Sequence, residues 1–381
     1  VHILPIASGK GGVGKSLLAA NLGVVLAKAG QRVVLADLDF GGSNLHLMLG
    51  IRGVQAGAGT FLTRNGVTFE EIIGETDVPG LQFIAGDGEI PGIANMTAGQ
   101  KRKLIRHLRS VDTDFLILDL GAGTSYNVMD FFLMASQGIV ITTPTPTALV
   151  SAYLCLKNAL FRLLTGALKR GSPGAQHLKE LAKTSNQLQR VYLPQLVNAL
   201  SSIDSEGVER YREQVTRFRP RIVLNMLEDP KDADRVARLR TSCTEYLGLE
   251  IEQLGVIYRD DLQDIALGAR LPIVLYKPGS VLSQAVQRIA DKVLRLSDED
   301  DELLGWLDSD ESFASGAVEA EIDFESKMDY VGELLHSGAL TEGDLVETVK
   351  SQQIEIGILR KENDLLRSKL LKAANQGFDV R

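Results

Sequence analysis

Residues 8–16 read SGKGGVGKS, and no other stretch limits the possible folds so strongly. Gly9, Gly14, Lys15 and Ser16 satisfy the spacing G-x-x-x-x-G-K-[ST]. Before the loop, VHILPIA reads as a short buried strand through Val1, Ile3, Leu4 and Ile6. After it, Leu17, Leu18, Asn21, Leu22, Val25 and Leu26 recur at steps of three and four, and Gly30 closes the helix. A glycine turn between a strand and a helix wraps its amides around a polyphosphate without Cβ clashes. The positive end of the helix faces the anion. In that arrangement Gly9, Lys10, Gly11, Gly12, Val13, Gly14, Lys15, Ser16 and Leu17 line the phosphates. Lys15 reaches the β- and γ-phosphates, and Ser16 offers its hydroxyl to Mg²⁺. One lysine satisfies the pattern, so Lys10 needs a separate explanation.

Strand patterns alternate with helical ones through the body. QRVVLADLD, LQFIAGD, DFLILDLG, GIVITTP, RIVLNML and LGVIYRD are strands, with helical periodicity at 97–110, 127–136, 147–166, 231–247 and 280–296. Such alternation predicts an α/β fold, a mainly parallel doubly wound sheet with ligands at the carboxyl ends of the strands. Asp37 and Asp39 end one strand on the same side, and Asp119 ends another. Three carboxylates behind a phosphate loop suit Mg²⁺, which keeps several waters. They also suit the orientation of an attacking water.

The remaining features concern organisation. The stretch 168–220 is too long for a simple crossover and reads as a helical insertion. It carries Lys179, Lys183, Arg190, Arg210, Arg212, Arg217 and Arg219, and Arg221 follows directly. From Asp298 onward 21 acidic residues face 8 basic ones, whereas residues 1–297 hold 33 basic and 28 acidic. This asymmetry puts a boundary near 296, with an acidic flexible linker over 297–325 and a helical segment over 326–381. A turn is expected at Gly338. In the last helix Val349, Ile356, Asn363 and Leu370 form one heptad seam, and Leu345, Gln352, Leu359, Leu366 and Ala373 the other. A lone Asn in such a seam fixes register in a two-stranded coiled coil, and the same pattern equally suits an amphipathic helix that packs on its own body. A chain ended near Ser297 is expected to fold and bind nucleotide. Cys155 and Cys243 form no C-x-x-C pair, which fits a reducing cytoplasm and argues against a cysteine metal site. No uninterrupted apolar run reaches 18 residues, so no membrane span is expected. The chain opens on Val1, so an initiator or a short upstream segment is absent from it.

KGGVGKS resembles the deviant phosphate loop of the MinD/ParA/FlhG ATPases, whose second lysine is their signature. DLDFGGSNLHLMLG is similar to the segment after the second strand in the MinD and FlhG branch. LDLGAGTSYNVMDFF and TTPTPTALVSAY resemble the motifs that follow, and the likeness covers residues 1–296 apart from the insertion. It implies a P-loop NTPase sheet that binds ATP and Mg²⁺. It further implies a homodimer in the ATP state, in which Lys10 reaches the phosphates of the partner's nucleotide. Asp39 then positions the hydrolytic water, Asp37 supports the metal shell, Asp119 holds a metal-bound water, and Asn225 reads the adenine. With Lys10, Lys15 and Asp39 as its catalytic groups, the chain is expected to be a slow, partner-stimulated ATPase that organises flagella, division or polar cargo in the cytoplasm.

Some features depart from that pattern, and other functions compete. Ser151 stands where the family pattern expects an acidic residue. LLKAANQGFDVR is not the short basic amphipathic helix that MinD-type proteins use on membranes, since Arg367, Lys369 and Lys372 belong to the heptad helix and lack bulky aromatics beside them. A DNA-binding partition ATPase using the basic insertion is the alternative reading. Amide ligases of this fold lack the second lysine, and iron–sulfur carriers need paired cysteines. A pure adaptor has no use for Lys15, Ser16, Asp39 and Asp119 together.

Overall fold

The computed structural model describes residues 1–51, 53, 56–87, 90, 92–183, 192–298, 309–337 and scattered positions from 341 to 366. Its strands are β1 (His2–Ala7), β2 (Val33–Leu38), β3 (Ile73–Glu75), β4 (Leu81–Ile84), β5 (Phe115–Leu120), β6 (Ile139–Thr142), β7 (Arg221–Leu227) and β8 (Glu252–Tyr258). They form one sheet in the order β3-β4-β2-β5-β1-β6-β7-β8. Every pairing is parallel except β3 with β4. The antiparallel edge strand β3 has no counterpart among the sequence expectations, because its three residues, Ile-Gly-Glu, carry no strand periodicity.

Side-chain alternation divides the core into two layers. Leu35 and Ile117 face helix α1 (Lys15–Lys28), where they meet Leu18, Leu22 and Leu26. Leu116 and Leu118 face the opposite layer, with Leu104 of α4 (Ala98–Arg109) and Leu156 and Leu160 of α6 (Pro146–Ala167). Between α1 and α4 lie two short helices, α2 (Leu45–Met48) and α3 (Ala58–Thr63), and α5 (Tyr126–Phe132) follows β5. Helix α6 is long and apolar enough, by length and composition, to cross a membrane. Here Ala152, Cys155, Leu156, Ala159, Leu160 and Leu164 are buried in the core.

The stretch between α6 and β7 contains α7 (Pro173–Lys183) and the helices Leu193–Ser201 and Ser205–Arg217. It is less polar in place than its composition suggests, since Leu193, Leu196, Leu200, Val208 and Tyr211 join the α6 layer. Several of its cations are already paired. Arg210 donates to the Ala167 carbonyl, Arg212 pairs with Glu209, Arg219 with Glu250, and Arg221 with buried Glu252. Arg190 lies outside the described residues.

The expected boundary near 296 and linker over 297–325 need correction. Residues 309–324 are the first part of a helix, Ser309–His336, and the compact body runs from Val1 to Phe324. Ser312, Gly316, Ala320 and Asp323 recur at steps of four and three, and all are buried. Composition suggested a linker because the buried face of this helix is made of small and polar residues. Residues 325–381 form a second unit. Within it Val349, Ile356, Asn363 and Leu366 are helical and exposed. The heptad positions Leu345, Gln352, Leu359, Leu370 and Ala373, and the turn at Gly338, lie outside the described residues.

Candidate nucleotide site

Strand β1 lies between β5 and β6. The chain leaves it toward β2 on one side and later returns to β6 on the other. The loop after β1 therefore sits where the strand order reverses, the usual place for a ligand in an open parallel sheet. Gly12 and Gly14 adopt φ of 77° and 93°, a left-handed backbone that favours glycine. Gly14 caps α1 without any side-chain hydrogen bond, so the first-turn amides are available to an anion. The loop is held closely on two sides. A Cβ on Gly9 would lie 1.9 Å from the Ser151 carbonyl oxygen, and one on Gly14 would lie 2.1 Å from the Asn225 amide nitrogen.

The carboxylates share the α1 face with the loop. Asp37 and Asp119 are direct neighbours in register across β2 and β5. Lys15 is buried and donates to Asp119 at 2.7 Å, with Asp39 at 3.9 Å. Burial pushes the Asp119 carboxyl up, while Lys15 and a hydrogen bond from Ser16 work the other way. Asp37 accepts from the Ser43 hydroxyl at 2.7 Å and from the amides of Asp39 and Leu45. Its pKa is nevertheless pushed up to about 6, first by burial and then by the charge of Asp119. Asp39 is the most open of the three, about 29% exposed beside Gly121. Ser16, Asp39 and Asp119 thus converge around the Lys15 ammonium. Among the described residues no three acidic, histidine or cysteine side chains form a ready cage. This donor set fits Mg²⁺, which takes most of its ligands from water and phosphate.

The two lysines occupy different surroundings. Lys10 is exposed and donates to the Thr147 hydroxyl at 3.3 Å, at the start of α6. The Ser151 hydroxyl donates to the Thr147 carbonyl, so Ser151 supports this turn in place of the expected acidic residue. Sequence reasoning did not anticipate Thr147 or Ser43, since neither lies at a diagnostic spacing. It also missed Asp130 of α5, which holds both Lys101 and Arg162 and so ties α5 to α4 and α6. Asn225 is placed differently from the adenine-reading expectation. It is buried against the loop, and its amide donates to the Val13 carbonyl at 2.8 Å.

A glycine loop at the switch point, a buried lysine on α1 and strand-end carboxylates on the same face define a P-loop NTPase. Residues 1–157 match the ParA family, described as NUBPL iron-transfer P-loop NTPase. The flagellum site-determining protein YlxH of Helicobacter pylori is 28% identical over 264 residues, which cover 66% of this chain and 86% of that protein. The septum site-determining protein MinD of Synechocystis is 32% identical over 153 residues, 40% of this chain and 56% of that protein. The fold matches MinD of Pyrococcus horikoshii, solved with Mg-ADP, at a TM-score of 0.51 and 20% identity. That match covers 78% of this chain and 97% of the other. Over residues 1–157 the chain thus resembles ParA-family P-loop NTPases, its fold is MinD-like, and its sequence is similar to those of flagellar and septal site-determining proteins.

Proposed function

We propose that this protein is a Mg²⁺-dependent ATPase switch that dimerises on ATP and directs the placement of flagella, division sites or polar cargo. The observation that carries this reading is the separation of the two loop lysines. Lys15 faces inward to the carboxylates and the phosphate cradle. Lys10 is exposed at the rim, donating to the Thr147 hydroxyl at 3.3 Å, from where it would serve a nucleotide held by a second copy. A cation delivered in trans would stabilise the charge that develops during phosphoryl transfer. Asp39, the most open carboxylate, orients the attacking water, while Ser16 and Asp119 hold the metal and its waters. Asp37 supports that shell from below. In the structure described here Asn225 braces the loop, and adenine contact would require its amide to leave Val13. The names of the relatives supply the spatial role, and an activating partner protein belongs to this reading.

Two other readings are weaker. Nucleic-acid binding through the insertion meets a stretch in which Arg212 and Arg219 are already paired with carboxylates of the same chain, as is Arg221 just after it. Iron transfer, named in the family description, gains no support from the cysteines, because Cys155 and Cys243 are separately buried and burial pushes both thiols up to about 12.

The test is nucleotide binding by Lys15→Ala. Loss of its charge from an otherwise intact loop abolishes Mg²⁺–ATP binding in titration calorimetry. Affinity retained within about threefold, roughly 0.7 kcal/mol, contradicts the assignment of the loop.

A further inference from the structure

Strand β8 is an outer edge of the sheet, and an open edge normally presents unpaired backbone groups. Here residues 309–324 cover it. The Ser309 hydroxyl donates to the Ile251 carbonyl, and the Gln253 amide donates to the Ser312 hydroxyl at 3.1 Å. Gly316 lies flat against the Gln253 side chain, where a Cβ would come within 2.4 Å. Two ion pairs bind the same helix to Val281–Asp298: Lys292 with Glu319 and Arg288 with Asp323. At the far end of β8 the buried Tyr258 hydroxyl donates to the Ala320 carbonyl at 2.9 Å.

Tyr258 links this helix to the phosphate loop through a short series of direct contacts. It sits opposite Leu227, and Ile257 sits opposite Asn225, with a register break between those two positions of β7. Met226, in the break, has φ of 60°, a left-handed conformation that is strained for a methionine. Immediately before it, Asn225 donates to the Val13 carbonyl and fills the space beside Gly14. The strained residue thus lies between Leu227, paired with the Tyr258 that meets the helix, and Asn225, which braces the loop.

We infer that residues 309–324 are a positioning element of the nucleotide site, acting on the phosphate loop through Tyr258, the β7 break and Asn225. The inference rests on the reading of that loop as an ATP site. Docking of the helix fixes the end of β8, which holds the break in the geometry that keeps Asn225 on the loop. Release of the helix lets Met226 relax and frees Asn225 from Val13. Linkage is reciprocal, so Mg²⁺–ATP must tighten helix docking by the factor by which docking tightens ATP binding.

The experiment uses the full chain with a fluorescent ATP analogue and Mg²⁺, far below the melting temperature. Gly316→Val pries the helix from Gln253, Lys292→Glu breaks an ion pair, and Tyr258→Phe keeps the ring but removes the hydroxyl. Each is expected to weaken analogue binding, by roughly five- to tenfold for the first two. Lys292→Glu combined with Glu319→Lys restores it. In the wild type, amide exchange across 312–324 slows on adding Mg²⁺–ATP. If Gly316→Val does not fold, the charge-swap pair and the exchange measurement decide. Wild-type affinity in the folded variants, or exchange across 312–324 that ignores nucleotide, overturns the inference and leaves the ATP site intact. A wild-type chain that binds no analogue overturns the site reading and this inference with it.

Discussion

Lys10 and Lys15 belong to one loop, yet only Lys15 has a role that the spacing alone explains. Its fate follows from alternation: residues at odd positions of β2 and β5 face α1, so Asp37 and Asp119 must meet the start of that helix. Loop, lysine and carboxylates were therefore legible in the sequence. Thr147, Ser43 and the bracing role of Asn225 were not, because each depends on contacts across distant segments. Asp37 yields a pH prediction. Its folded pKa, about 6, lies above the ordinary value of 3.8, so the folded chain holds this proton to higher pH than the unfolded chain. Its contribution to stability is therefore greatest in acid and declines as pH rises from about 4 through 6. Asp37→Asn, which cannot ionise, flattens that part of the stability curve in urea titrations. Mg²⁺–ATP affinity moves in the opposite sense, rising over the same interval as the carboxylate becomes charged. An unchanged stability slope in Asp37→Asn contradicts the buried-proton account.

Among elements, the parallel strands were legible because strands buried on both faces are written as nearly continuous apolar runs. Strand β3 was too short to leave a pattern. The helix Ser309–His336 was hidden for another reason. Its seat on β8 is built from Ser312, Gly316 and Ala320, which a hydropathy reading takes for a linker. The step-of-four spacing of these small residues was the available signal. The structure accordingly changes what truncation should do. A chain ended at Ser297 exposes the edge of β8, Tyr258 and the partners of Glu319 and Asp323. Losing the cover over a large aromatic and its neighbours costs about 2–3 kcal/mol. Melting of that chain falls by several degrees relative to the full chain. A chain ended at Phe324 loses less, since it retains the compact body. Equal melting temperatures for the two truncations contradict the packing described for residues 309–324.

For the molecule as a whole, a second unit with 10 acidic and 8 basic residues over 325–381 follows a body whose candidate ligand site lies at the switch point of the sheet. The sequence showed the charge boundary but placed it too early, because acidic residues that belong to the body, such as Glu319 and Asp323, count with the tail until their ion pairs are seen. The central claim is that two copies complete each other's sites. Lys10→Ala removes the donated cation and leaves its own carboxylates intact. Asp39→Ala removes the carboxylate proposed to orient the water and leaves Lys10 intact. Each variant alone should lose turnover, by about 10³-fold or more if Lys10 acts as arginine fingers do in other NTPases.

The most direct measurement mixes the two variants as full chains, with different affinity tags so that mixed dimers can be isolated. In a mixed dimer one site keeps Asp39 and receives Lys10 from its partner. Phosphate release should reappear in the mixed dimers while both parent homodimers remain nearly inactive. Mixed dimers that form with Mg²⁺–ATP but release no phosphate above the parents would contradict the account, because Lys10 would then serve its own loop.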